Sequence, residues 1–150
     1  MAKKSEFVGA FVCVFDKSLS EVLLLNRNWE KKKRQGKVWE GGARWGNVGG
    51  SVEPGETPLQ GCMREAKEET GLNLSPKDLV EVEVRKSPQG ANPYVVHFYA
   101  TSIDRNARIS LDDESSSYGW FKLESLPNGM FDSKKDLLKW RKRLLDNSNS

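Results

Sequence analysis

Residues 57 to 71, TPLQGCMREAKEETG, constrain the fold most, because both ends of a helix can be read from them. Thr57 is followed by Pro58 and, at the third helical position, by Gln60, which is a capping box with proline where its missing N–H does no harm. Gly71 supplies a left-handed stop. At about 100° per residue, one stripe of the helix is predicted to face the core, and it contains Leu59, Cys62, Met63, Ala66 and Thr70.

Apolar runs of strand length lie on both sides of this helix. Residues 6–15 and 21–27 predict a hairpin or a neighbouring strand pair. Three more strands are predicted at residues 78–86, which alternate with period two, 94–101 and 118–123. Residues 133–145 have the spacing of a second amphipathic helix. Several strands with two helices on different faces predict an α/β fold with a mixed β-sheet between helices.

Composition limits the class of protein. A chain of 150 residues with 37% hydrophobic content predicts one domain, which we assign to residues 1–146, with the polar residues 147–150 as a disordered tail. Cys13 and Cys62, with the single histidine His97, give neither a disulfide framework nor a zinc site, so we expect a cytoplasmic protein with both cysteines in its core. No apolar segment approaches the roughly 20 residues that span a bilayer, so no membrane partner is expected. Monomer and homodimer both stay open.

The charge of the chain is concentrated in one loop. Residues 27 to 44 carry seven Lys or Arg against two Glu, whereas the formal charge of the whole chain is only +3. A local basic loop favours an anionic ligand at one place over general nucleic-acid coating. Tryptophans interleaved with the basic residues could stack a base, although a solvated loop explains them equally well. They are Trp29, Trp39 and Trp45.

Three glutamates of the first helix form an acidic arc. Glu65, Glu68 and Glu69 fall within roughly 100° of each other, next to the core stripe. Three glutamates on a helix, without further context, indicate a solvated face. Carboxylates this close together, however, raise one another's proton affinity unless a cation neutralises them. Magnesium prefers such oxygen ligands. Glycines ahead of the helix let the backbone approach a phosphate closely, and they are Gly46, Gly49, Gly50 and Gly55.

The stretch from Gly50 to Leu72 resembles the Nudix box. Gly50 is followed after five residues by Glu56 and after seven more by REAKEETGL at residues 64–72, which matches every charged and glycine position. The one departure is Ala66, where the pattern asks for a bulkier aliphatic side chain. The resemblance implies a Nudix-type α/β/α sandwich and hydrolysis of a nucleoside diphosphate linked to another group, with Mg²⁺ or Mn²⁺ as cofactor.

The resemblance also implies roles for single residues. Glu65, Glu68 and Glu69 match metal ligands, helped by the carbonyl of Gly50, and Arg64 with Glu56 matches a pair that orients helix and loop. The general base is either Glu69 or, in a later loop, Glu114. Glu53 could reach the metal or be a polar turn residue. The substrate contacts that we predict from the glycine loop and the basic segment are Gly49, Trp45, Arg27, Lys37 and Glu53.

The substrate is less constrained than the family. WGNVGG at residues 45–50 resembles the loop entry of small nucleoside-triphosphate pyrophosphatases, although Val48 replaces the usual proline. We therefore expect a small-molecule nucleotide, with a nucleoside triphosphate cut to monophosphate and pyrophosphate as the first choice. Pro88, sixteen residues after Leu72, is a weak marker for ADP-ribose. We also keep open dinucleoside polyphosphates, RNA 5′ ends, which the small size disfavours, and a nucleotide-binding module without catalysis.

Overall fold

The structure, a computed structural model, describes residues 6–27 and 44–148. The predicted strands and both predicted helices are confirmed. The elements are β1 (Phe7–Asp16), β2 (Glu21–Arg27), β3 (Trp45–Gly46), β4 (Val48–Ser51), α1 (Pro58–Thr70), a 3-10 turn (Pro76–Asp78), β5 (Val80–Lys86), β6 (Tyr94–Ile103), β7 (Ser115–Lys122) and α2 (Lys134–Ser148). The short strands β3 and β4 were not predicted. The predicted loop at residues 28–44 lies outside the described residues, except for Arg44.

The strands form one mixed sheet in the order β3-β2-β1-β6-β5, with β4 paired to β1 and β7 paired to β2. β1 and β6 run parallel from Phe7 opposite Tyr94 to Asp16 opposite Ile103, and the other pairs are antiparallel. β2 pairs with the end of β1, and β4 pairs with residues 9–12 of β1. This pairing fixes the glycine pair of β4 beside the centre of the sheet.

Two apolar layers cover the two faces of the sheet. Along β1, the side chains of Ala10, Val12 and Val14 join a cluster with Cys62 and Ala66 of α1. The intervening Cys13 and Phe15 join a second cluster, which contains Leu137 and Trp140 of α2. Because side chains of a strand alternate between faces, α1 and α2 lie on opposite sides. The α/β/α sandwich is confirmed, and both cysteines are buried and unbridged.

The ends of α1 are those that the sequence predicts. Thr57 Oγ1 accepts a hydrogen bond from the Gln60 N–H at 3.1 Å, and Gln60 Oε1 accepts one from the Thr57 N–H at 2.9 Å. Gly71 closes the helix in the left-handed region at φ 76°, with its N–H bonded to the Lys67 carbonyl. Of the predicted core stripe, Cys62, Ala66 and Thr70 are buried, while Leu59 and Met63 are partly buried.

Helix α2 is fastened to β5 through Glu83. Its carboxylate accepts hydrogen bonds from Trp140 Nε1 at 2.9 Å and pairs with Lys139 Nζ at 2.6 Å. Partial burial would raise the pKa of Glu83, but the hydrogen bonds from Lys139, Trp140 and Arg85 outweigh it and lower the pKa to about 2. The helix therefore packs on the sheet, as predicted for its apolar stripe.

The end of α2 reaches into the predicted tail. The helix continues to Ser148, whereas residues 149 and 150 lie outside the described part of the chain. Across residues 6–27 and 44–148, none of the helices is both long enough and apolar enough to cross a membrane.

Candidate functional site

The candidate site lies where the last two turns of α1 meet β4 and the end of β2. Helix α1 packs against β4, so that Glu65 lies against Gly50 and Glu69 against Gly49, while Glu68 lies one turn from Glu65 on the same helix. Arg27, the last residue of β2, reaches the same place. Residues that are 42 positions apart in the sequence thus become neighbours.

Arg64 organises the acidic side chains around it. Its Nε and Nη2 donate to the two carboxylate oxygens of Glu56 at 2.8 and 3.0 Å, which is the bidentate geometry of a strong ion pair. Its Nη1 lies 3.2 Å from both Glu65 Oε1 and Glu68 Oε2. Nη2 also donates to the carbonyl of Ser51 at 3.0 Å. One guanidinium thus joins the helix, the preceding loop and β4.

The carboxylate of Glu65 rests against Gly50. A Cβ on Gly50 would lie 2.9 Å from both Cδ and Oε1 of Glu65, so any other residue here would make the Glu65 carboxylate move from its present position. Burial raises the pKa of Glu65, and its contacts with Arg64 oppose the rise. The backbone of β4 therefore comes into direct contact with a carboxylate that is predicted to bind metal.

Gly49 allows β4 to approach β1 closely. It has φ 149°, and a Cβ there would lie 2.3 Å from the carbonyl oxygen of Ala10 and 2.5 Å from the Cα of Phe11. No side chain fits in that space. The N–H of Gly49 points at α1 and donates to Glu69 Oε1 at 2.8 Å.

Glu69 is the most buried of the three glutamates, with 6% of its side chain exposed. Its Oε2 accepts a hydrogen bond from Arg27 Nη1 at 2.8 Å, and Arg27 Nη2 donates to the Asn47 carbonyl at 2.7 Å. Burial raises the pKa of Glu69 to about 7, although Arg27 and the Gly49 N–H both act to lower it. Helix periodicity places Glu69 beside the core stripe but does not reveal its burial or its arginine partner.

The donor chemistry of the site fits a hard divalent cation. The glutamate side chains offer carboxylate oxygens, which are the ligand type that Mg²⁺ and Mn²⁺ prefer, and the carbonyl of Gly50 stays a predicted further ligand. Within the described ranges, no three His, Cys, Asp or Glu side chains are gathered as a ready metal site. In the structure, the carboxylates of Glu65 and Glu68 contact Arg64, and that of Glu69 contacts Arg27.

The other described residues predicted for the site are not gathered around the three glutamates. Glu53 is exposed, its carboxylate is 3.9 Å from Arg64 Nη1, and its N–H bonds to Glu56, as in a polar turn. The Trp45 ring packs edge-on against Phe121 at 4.9 Å within the α2-side layer, so it is not brought to the carboxylates. Glu114 precedes β7 and donates its N–H to Asp112. Lys37 lies outside the described residues, as do Trp29 and Trp39.

Sequence reasoning missed Asn47. It is buried, its carbonyl orients Arg27, and its side-chain amide donates to Asp132 Oδ2 at 2.8 Å, which ties β3–β4 to the segment before α2. The only signal in the sequence was a polar residue between Gly46 and Val48 in the glycine-rich stretch before the helix.

Comparison with known families and proteins agrees with this geometry. The model of the NUDIX domain matches residues 6–144 of the chain. Among curated proteins, the chain is 32% identical over 83 residues to the asymmetrical bis(5′-nucleosyl)-tetraphosphatase of Mus musculus, which covers 53% of the chain. It is 30% identical over 91 residues to nucleoside triphosphatase NudI of Salmonella schwarzengrund, which covers 55% of the chain. The chain spans only 56% and 64% of those two proteins.

A solved structure supports the same fold. The MutT Nudix hydrolase from Burkholderia pseudomallei superimposes with a TM-score of 0.68 and 24% sequence identity, covering 91% of this chain and 98% of its own.

Proposed function

The chain belongs to the Nudix family, and from that premise we propose that it is a divalent-metal-dependent hydrolase of nucleoside diphosphates linked to another group. The observation that carries the proposal is the convergence at Arg64. This residue gathers Glu56, Glu65 and Glu68, while Gly50 leaves space for the Glu65 carboxylate.

Glu65, Glu68, Glu69 and the carbonyl of Gly50 are the residues that would hold Mg²⁺ or Mn²⁺. Such a cation, when bound, offsets the negative charge of phosphate oxygens and lowers the pKa of a bound water. Arg64 supports the reaction by orienting these carboxylates, without contacting the substrate. Its bidentate pair with Glu56 joins the loop to the helix, and its Nη1 contacts orient the carboxylates of Glu65 and Glu68.

The proton of the attacking water needs a carboxylate acceptor, and two candidates remain. Glu69 is favoured by a pKa that burial raises to about 7, close to the value at which a carboxylate both accepts and releases a proton near neutral pH. Glu114 is favoured by its place in a loop that leads into β7, beside the strand that carries Arg27. Comparing the pH dependence of turnover in Glu69→Gln and Glu114→Gln distinguishes them, because loss of the base removes the acidic limb of the profile.

For the substrate, we propose a small nucleoside triphosphate that is cut to monophosphate and pyrophosphate. The name of the NudI relative, a nucleoside triphosphatase, supports this choice, as does the WGNVGG entry to the glycine pair. The Mus musculus relative favours dinucleoside polyphosphates as the second candidate. The cytoplasmic location stays a prediction.

A substrate panel tests the proposal. The purified chain is incubated with Mg²⁺ and nucleoside triphosphates, dinucleoside polyphosphates, ADP-ribose or 5′-triphosphorylated RNA, and the products are resolved by mass. We expect monophosphate and pyrophosphate from a triphosphate, with turnover lost in Glu68→Gln and kept in Glu124→Gln, a change at an exposed glutamate outside the site. Nucleotide binding without any product would instead support a binding module.

The RNA alternative has its own test. A gel shift with triphosphorylated RNA at low and high salt separates phosphate-driven RNA binding from turnover of small molecules. Retention of RNA, together with preferred cleavage of RNA ends, would overturn the choice of a small nucleotide.

A further inference from the structure

Arginine side chains occupy the carboxylates that the proposed reaction needs for a cation. Arg64 Nη1 contacts both Glu65 and Glu68 at 3.2 Å, and Arg27 Nη1 contacts Glu69 at 2.8 Å. Each glutamate of the acidic arc therefore contacts a guanidinium. A divalent cation that binds these carboxylates must replace some of these contacts.

Arg64 and Arg27 differ in the hydrogen bonds that each would keep after a cation replaced their contacts with the glutamates. Arg64 would keep its bidentate pair with Glu56 and its bond to the Ser51 carbonyl. In the part of the chain that the structure describes, the Arg27 guanidinium hydrogen-bonds only to Glu69 and to the Asn47 carbonyl. Without Glu69, and counting the described residues alone, Arg27 would keep one hydrogen-bond acceptor, the neutral Asn47 carbonyl, and the nearby charge of Glu65.

The two oxygens of Glu69 have separate partners. Oε1 accepts a hydrogen bond from the Gly49 N–H, and Oε2 accepts one from Arg27 Nη1. Oε2 can therefore change partner while Oε1 continues to hold α1 against β4. The Arg27 side chain is 13% exposed, so part of it is already accessible to solvent.

The net charge of the site favours binding of the cation before binding of the nucleotide. When all four carboxylates are ionised, Glu56, Glu65, Glu68 and Glu69 outnumber Arg27 and Arg64 by two charges, which gives this cluster a net charge of −2. Such a site repels an anionic nucleotide. One divalent cation cancels that excess, and an Arg27 that has left Glu69 then presents its full charge to a phosphate.

We propose that Arg27 is a phosphate-binding residue that is paired with Glu69 in the metal-free protein, and that Arg27 would leave Glu69 when this carboxylate binds a divalent cation. The cation therefore binds before the nucleotide. This inference rests on the proposed function, since it assumes the same metal ligands and the same class of substrate.

Mn²⁺ binding tests the competition without any turnover. Free Mn²⁺ is measured by electron paramagnetic resonance in the wild type, in Arg27→Gln and in Arg105→Gln, a control at an arginine that pairs with Glu21. We expect Arg27→Gln to bind Mn²⁺ about tenfold more tightly, the scale of one hydrogen bond between charged groups, and the control to be unchanged. Equal or weaker Mn²⁺ binding by Arg27→Gln would overturn the exchange.

A second measurement uses the wild-type chain, so it does not depend on the folding of a variant. The Arg27 Nε–Hε resonance, assigned by its disappearance in Arg27→Lys, is followed by NMR as Mg²⁺ is added. We expect it to shift along the same saturation curve as the backbone amide of Glu68. A shift at Glu68 with no change at Arg27 would refute the release.

These outcomes separate the inference from the function on which it rests. If Mg²⁺ moves Arg27 but no nucleotide is hydrolysed, the proposed function fails and the exchange stands. If nucleotides are hydrolysed with an unchanged Arg27 resonance, the function stands and the exchange is wrong.

Discussion

Replacing Glu83 by glutamine removes one charge from the contact between β5 and α2 and keeps the shape of the side chain. Glutamine retains an oxygen for Trp140 Nε1, so the change isolates the ionic part of the contact. The pKa of Glu83 falls from 4.5 to about 2 on folding. At about 1.4 kcal/mol per pH unit, this corresponds to roughly 3 kcal/mol in favour of the ionised folded state.

That value is an upper bound, because the cationic partners Lys139 and Arg85 are 39% and 38% exposed and therefore screened by solvent. We expect Glu83→Gln to lower the free energy of unfolding by about 1 to 2 kcal/mol at pH 7. A carboxylate with a lowered folded pKa stabilises the protein above its unfolded pKa, so the difference should shrink as the pH falls from about 4.5 towards 2.

Urea unfolding monitored by tryptophan fluorescence at pH 7 and pH 3 measures this effect as a shift in midpoint. Glu124→Gln, at an exposed glutamate, is the control and should leave the midpoint unchanged. An equal midpoint for Glu83→Gln and the wild type at pH 7, or a difference of the same size at both pH values, would refute the role given to this carboxylate.

Three further substitutions test the site and the helix that carries it. Gly50→Ala places a methyl group 2.9 Å from the Glu65 carboxylate, so nucleotide turnover should fall by about 10- to 100-fold with little change in the urea midpoint. Arg64→Lys keeps the charge but loses the two-pronged pair with Glu56, and kcat should fall by a similar factor; unchanged kcat would contradict the orienting role. Thr57→Ala removes the cap of α1 and should cost about 1 kcal/mol of stability in urea unfolding, while kcat stays within about twofold.

Helix α1 could be predicted nearly to the residue because its signals are local. The Thr57 cap, the proline after it and the left-handed Gly71 act within one or two turns, so distant contacts cannot override them. The same holds for the positions of the three glutamates on the helix. What the sequence could not provide was the partner of each one, because Arg27 lies 42 residues from Glu69 in the chain.

Strand β5 shows where a periodic pattern misleads. Strict alternation from residue 78 to 86 would place Val80, Val82 and Val84 on one face. The register shifts between Glu81 and Glu83, and Val84 is 41% exposed while Glu83 turns towards α2. A bulge inserts one residue into the ladder and exchanges the faces beyond it, and its position depends on pairing with β6.

The short strands β3 and β4 were missed because glycines carry no strand signal. The backbone there is held in strand conformation by pairing with β2 and β1.

The central claim is that the carboxylates of α1 hold a divalent cation against a phosphate bridge. Its most direct test is the rate of nucleoside triphosphate hydrolysis as a function of Mg²⁺ concentration for the wild type, Glu68→Gln and Glu124→Gln. We expect no turnover in EDTA and saturable activation by Mg²⁺ in the wild type and in Glu124→Gln. We also expect a loss of about 100-fold or more in Glu68→Gln at saturating Mg²⁺. Turnover that persists in EDTA, or that is the same in Glu68→Gln as in the wild type, would contradict the claim.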